Sequence, residues 1–111
     1  PYAGTTTTCE ALFAGVPVVT LAGHSHAHNV GVSLLAAVDL EGRCVAKSEN
    51  EYVAMCVALA SDHSALGELR KGMRATMQKR NGLCDGAAFT TKLEHAYVAM
   101  WRRYCAEKGR A

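Results

Sequence analysis

Gly4-Thr-Thr-Thr-Thr-Cys-Glu-Ala-Leu-Phe-Ala-Gly15 is the stretch whose reading decides the fold. Four consecutive threonines suit a helix start better than a helix interior, where their branched side chains lose rotamer freedom and their hydroxyls compete for the backbone. Thr7 followed three residues later by Glu10 has the pattern of a capping box. Cys9, Leu12 and Phe13 form an apolar stripe, and Gly15 with Pro17 supplies a stop. A short helix is expected over residues 6–14. Its N-terminus would present unpaired N–H groups, the positive end of the helix dipole and the hydroxyls of Thr5, Thr6, Thr7 and Thr8, which together suit a phosphate. A capped helix with no ligand is the alternative.

Working outward, Pro17-Val-Val-Thr-Leu-Ala22 is a β-branched run closed by Gly23, as expected for a parallel strand covered on both faces. A helix followed so closely by such a strand is the second half of a βαβ unit, which places the expected partner strand before Pro1. In open parallel sheets ligands bind beyond the carboxyl ends of the strands. The threonine turn and the loop Gly23-His-Ser-His-Ala-His28 both fall at that edge, which favours the phosphate reading. For His24, His26 and His28 three readings stand: a metal site, a polar contact to a bound nucleotide, and solvated or capping residues. Metal is set aside, since in a helix only His24 and His28 share a face and no nearby cysteine or carboxylate completes a ligand set. The next helix, expected from Asn29 to Val38, carries Val30, Leu34, Leu35 and Val38 on one face, with Gly31 and Ser33 allowing close approach of another backbone.

The chain has 111 residues, half of them hydrophobic and a fifth charged, enough for one domain or part of one that buries roughly two thirds of its unfolded surface. A net charge of +2 argues against nucleic acid, and no apolar run reaches the roughly 18 residues of a membrane span. The start at Pro1 without methionine leads us to expect a preceding segment. Five cysteines without a C-x-x-C pair read as reduced thiols of the cytoplasm or nucleus, mostly packing residues.

Residues 43–46 are expected to form a final edge strand. Ser48 and Glu51 form a second capping box, opening a helix to about Ala60 with Tyr52, Met55, Cys56 and Leu59 as its buried stripe. Asp62 caps a helix to about Arg80, with Leu66, Leu69, Met73 and Met77 on one side and Asn81-Gly82 ending it. Asp85 caps the last helix, to about Glu107. There Phe89, Leu93, Tyr97, Met100, Trp101 and Tyr104 form a stripe that must dock on something, and Arg102, Arg103, Lys108 and Arg110 form a solvated basic end.

Tyr2-Ala-Gly-Thr-Thr-Thr-Thr-Cys-Glu10, Gly15-Val-Pro-Val-Val-Thr20, His26-Ala-His-Asn-Val-Gly-Val-Ser-Leu-Leu35, Glu51-Tyr-Val53, Ala58-Leu-Ala-Ser-Asp62 and Met100-Trp-Arg-Arg-Tyr-Cys105 carry a resemblance to the C-terminal end of the SPINDLY-like protein O-glycosyltransferases, relatives of the O-GlcNAc transferases. It covers essentially the whole chain. It implies an α/β fold, the C-terminal part of a Rossmann-like donor-binding half of a GT-B glycosyltransferase, with short parallel strands and a mostly helical end. Tetratricopeptide repeats and an upstream half would lie elsewhere in the parent, and with them the catalytic groups, so residues 1–111 alone are expected to be inactive.

The resemblance further implies transfer of a sugar from a nucleotide donor, GDP-fucose or UDP-GlcNAc, to Ser or Thr of intracellular proteins, with no cofactor or essential metal. Thr6 and Thr7 match family positions that hold the donor diphosphate, within the run Thr5 to Thr8. Glu10 matches an acidic position that accepts from the ribose hydroxyls. His26, His28 and Asn29 are possible donor contacts. Animal O-GlcNAc transferases have histidine where this chain has Thr5, and Ser-Arg where it has His28-Asn29. Both departures agree with the SPINDLY branch, which implies GDP-fucose. A non-catalytic helical module that binds another chain, or self-associates, is the rival class, and a metal domain built on the histidines is a further alternative.

Overall fold

Two short strands lie among the helices of the first half of the chain, and helices alone make up the second. The order is α1 (Thr6–Phe13), β1 (Thr20–Leu21), α2 (His26–Ala36), α3 (Glu41–Cys44), β2 (Val45–Ala46), α4 (Glu49–Ser61), α5 (His63–Gln78) and α6 (Gly86–Lys108). The structure is a computed structural model that describes residues 2–109. The expected start at Pro1 and the Arg110 end of the basic tail lie outside the described residues. β1 and β2 pair in parallel, Thr20 opposite Val45 and Leu21 opposite Ala46, and Ala22 N–H extends the ladder to Ala46 C=O at 2.8 Å. This is the α/β class expected, in a mostly helical form.

α1 stops as its sequence requires. Gly15 takes φ +77°, Val16 N–H bonds back to Ala11 C=O at 2.8 Å and Gly15 N–H to Leu12 C=O at 2.9 Å, the paired bonds of a Schellman motif. Glycine is needed there twice over, because a Cβ would lie 2.9 Å from the Arg70 carbonyl oxygen of α5. Arg74 of α5 holds the same end of α1. Its Nε donates to Phe13 C=O at 3.0 Å and its guanidinium lies 4.6 Å from the Phe13 ring centre.

The core gathers Leu12 of α1, Leu35 and Val38 from α2 and its exit, Leu40, Cys44 of α3, and Met73 and Met77 of α5. Leu12, Leu35 and Cys44 are fully buried. Gly31 lets a side chain approach closely where a backbone was expected, since a Cβ there would lie 2.6 Å from Thr20 Oγ1 of β1. Three caps form as read. Ser48 Oγ accepts from Glu51 N–H, Asp62 from Ala65 N–H and Asp85 from Ala88 N–H. The Glu51 carboxylate reaches back to Lys47 N–H instead of to the cap residue itself. Asn81, at φ +61°, turns the chain after α5.

Several expectations are corrected. Only two residues of the run 17–22 pair as a strand, and the run is half-buried instead of covered on both faces, because among the described residues β1 has one partner strand and its other edge opens on a cleft. The strand expected over residues 43–46 is shortened to Val45–Ala46. Leu40 C=O accepts from Arg43 and Cys44 N–H, which winds the preceding residues into a turn of helix and carries Cys44 into the core. α2 begins at His26, three residues earlier than expected. Tyr52 and Phe13 are exposed, and Tyr52 faces the cleft.

The largest departure is α6. No residue of it is buried, and every residue from Phe89 to Gly109 is exposed, although 23 residues make a rod about 35 Å long. Its aromatic stripe is therefore not core among the described residues. Trp101 and Tyr104 stack on each other at 5.7 Å, and Lys108 sits 5.9 Å from the Tyr104 ring.

Candidate functional site

Parallel pairing sets the geometry of the site. β1 runs out through Ala22 and Gly23 into α2, and β2 runs out through Lys47 and Ser48 into α4, so both helices start at the carboxyl edge of the strands. α1 starts there too, because Ala3 N–H donates to Ala27 C=O in the first turn of α2 at 3.0 Å. Three helix N-termini thus converge, and their aligned peptide dipoles give that edge a positive character that favours anions.

At α1 the threonines do not form the expected capping box. Thr5 occupies the N-cap position, and among the described residues no side-chain cap bond forms there. Helix geometry explains this: with Thr5 outside, Thr7 is already the second helical residue and is not placed to cap. Thr8 is nearly buried, and its Oγ1 donates to Gly4 C=O at 2.8 Å, fixing the lead-in. Thr5, Thr6 and Thr7 are exposed. Glu10, also exposed, lies three and four residues beyond Thr7 and Thr6, so all three share one side of α1. An anion at this end would meet uncapped N–H groups and two hydroxyls, with a carboxylate acceptor about one turn, ~5 Å, along the axis. Cys9 lies beside it, half-buried. Burial pushes its thiol up, and Cys84 adds to the shift, so the thiolate is disfavoured.

At α2 the histidines lie at the start of a helix, with His24 outside it. His24 and His26 are exposed, whereas His28 is half-buried and lines the cleft. Asn29 is turned to the backbone: its Oδ1 accepts from Gly23 N–H at 3.0 Å and its Nδ2 donates to Gly23 C=O at 2.8 Å. Among the described residues no three His, Cys, Asp or Glu side chains come together as a metal-binding group.

Beside the helix ends lies a cleft of about 420 Å³, running along the free edge of β1 and reached from Gly4, Thr8, His28, Glu49 and Tyr52. Its floor, residues 18–21, is mostly apolar, so it is suited to covering carbon surface and not to holding a diphosphate. Thr5, Thr6, Thr7, Glu10, His26 and Asn29 are outside its lining; the anion-favouring end and the apolar cleft are neighbours joined through Gly4 and Thr8. Glu49 and Tyr52 were missed as site residues. The signal available was the Ser48 cap, which puts the first turn of α4 at the same edge.

A parallel pair with its helix N-termini gathered at the carboxyl edge defines a mostly helical α/β protein. Residues 2–93 match glycosyl transferase family 41, and the chain belongs to that family. It is 64% identical over 105 residues to a Hordeum vulgare protein named "Probable UDP-N-acetylglucosamine--peptide N-acetylglucosaminyltransferase SPINDLY", which spans 95% of this chain and 11% of the relative. The Arabidopsis thaliana SPINDLY protein is 57% identical over the same length, and the Arabidopsis thaliana protein SEC is 34% identical over 102 residues, 92% of this chain and 10% of that one. Among solved structures, a mutant O-GlcNAc transferase of Thermobaculum terrenum superposes with a TM-score of 0.85 at 39% identity, over 96% of this chain and 20% of that one. The resemblance to SPINDLY proteins read from the sequence is thereby shown. The chain spans about a tenth of the length of its curated relatives.

Proposed function

We propose that residues 1–111 form the last part of the nucleotide-sugar-binding, Rossmann-like half of a GT-B glycosyltransferase that moves a sugar to Ser or Thr of other proteins. The observation that carries this reading is the uncapped N-terminus of α1, with Thr5, Thr6 and Thr7 exposed beside the start of α2. In the complete enzyme these groups hold the donor diphosphate, and Glu10, on the same side of α1, accepts from the ribose. Fixed N–H dipoles and hydroxyls stabilise the charge that develops on a departing nucleoside diphosphate. The relatives' names speak for UDP-GlcNAc, whereas Thr5 and the pair His28-Asn29 depart from the animal O-GlcNAc transferases in the direction of GDP-fucose. Catalytic groups come from the remainder of the parent.

The test is calorimetric binding of GDP and UDP to the full-length parent and its Thr7→Val variant. Because Thr7 caps nothing, the substitution removes a ligand contact without removing a helix cap, and the expected loss is about fivefold, near 1 kcal/mol. Unchanged affinity for both nucleotides would overturn the pocket, and the preferred nucleotide names the donor class. A second reading, association through an apolar surface, is favoured by the exposed stripe on α6. It predicts that the isolated chain self-associates in light scattering as concentration rises.

A further inference from the structure

Asn29 is turned to the backbone of its own loop. A carboxamide offers one acceptor oxygen and two N–H donors on one rigid plane. Here the oxygen takes Gly23 N–H and one donor takes Gly23 C=O, so a single side chain closes a ring with both polar groups of a single residue six positions earlier. The loop between β1 and α2 is pinned across its base. Gly23 is fitted to that arrangement by its lack of a side chain, since a Cβ would lie 2.6 Å from His28 Cβ and 2.5 Å from His28 Nδ1. Contact with the stem of His28 cannot be relieved by rotating the imidazole. His28 in turn lines the cleft alongside Gly4 and Thr8, at the lead-in to the α1 threonines.

We infer that Asn29 is a positioning residue, which locks Gly23 and through it seats His28 at the cleft, and that it is not itself a donor contact. The inference rests on the proposed donor site only for the identity of the ligand. The lock is a property of the loop and is measured separately.

Asn29→Asp keeps the size and the acceptor but puts an oxygen where Gly23 C=O requires a donor. Gly23→Ala keeps the carboxamide but pushes on His28. In the full-length parent each single variant is expected to raise the donor KM about fivefold, the size of one lost hydrogen bond, with kcat within about twofold. Two substitutions that break one device do not add, so the double variant should be no worse than the weaker-binding single variant. If Asn29 touches the donor, the two effects multiply and the inference falls. It also falls if Asn29→Asp leaves KM unchanged. Hydrogen exchange of the peptide spanning residues 22–28 gives a readout without donor: Asn29→Asp should speed exchange there and leave α5 protected. Unaltered exchange overturns the lock whatever the kinetics show, while faster exchange in a parent whose Thr7→Val variant binds nucleotide normally leaves the lock standing and removes the donor site. Should Asn29→Asp fail to fold, Asn29→Gln, which keeps both polar groups on a longer arm, is compared in the same exchange measurement, where weakened but detectable protection of the loop is expected and unaltered protection refutes it.

Discussion

α1 and α6 are both helices with an apolar stripe, yet one is held on every side that matters and the other is held at one end. α1 loses Leu12 completely to the core, is stopped by Gly15 against Arg70 and is gripped by Arg74. α6 begins at a well-formed Asp85 cap and then leaves Phe89 and Trp101 each 65% exposed. Their lengths run the other way, 8 residues against 23. The difference explains why the radius of gyration is 17.6 Å, against about 13 Å for a compact domain of this length. It teaches that periodicity reports which face of a helix is apolar, while burial depends on what else is present to cover it.

Four changes would break or sharpen that contrast. Leu35→Ala, in the fully packed half, should cost about 2–5 kcal/mol by loss of transfer energy and creation of a cavity, read from urea unfolding of the chain. A cost under about 1 kcal/mol would mean that this half is no better packed than α6. Gly15→Ala comes next. A side chain at φ +77° that also meets the Arg70 carbonyl should destabilise by about 1–3 kcal/mol, and the same assay should show it.

The third acts at the root of α6. The N–H groups of Ala88, first, and of Asn81 hold the Asp85 carboxyl below the usual carboxylate range. A carboxylate lowered in the folded state stabilises fully above its unfolded value of about 3.9, and that support is lost as pH falls through the lower folded value. Acid titration followed by amide exchange should therefore release the first turn of α6 below about pH 4, and Asp85→Asn, which keeps an acceptor without the charge, should flatten the pH dependence. The smallest effect is expected from Trp101→Ala. In the chain by itself it should change stability by no more than about 0.5 kcal/mol, because the side chain is 65% exposed and its stacking partner, Tyr104, is exposed as well. A large loss would show that α6 is buried in solution by association, and light scattering at two concentrations would identify that state.

What was legible in the sequence was whatever is decided within a few residues. Ser48, Asp62 and Asp85 each reach an N–H three residues on, so their caps could be read directly. The glycine stop at Gly15, the Met73 and Met77 stripe and the alternation that makes the chain α/β are of the same local kind. The family was legible too, because the threonine run and the block from His26 to Leu35 together are hard to match by accident. Tertiary structure alone decided the rest. The lead-in to α1 is tied to α2 by the Ala3 bond to Ala27, a contact across 24 positions; the extent of β1 depends on how many residues a second strand presents to it. That Asn29 bonds to its own loop depends on Gly23, which no spacing rule links to it. Local hydrogen bonds and side-chain patterns are written in neighbouring residues, whereas pairing partners, register and burial are written in residues that only folding brings together.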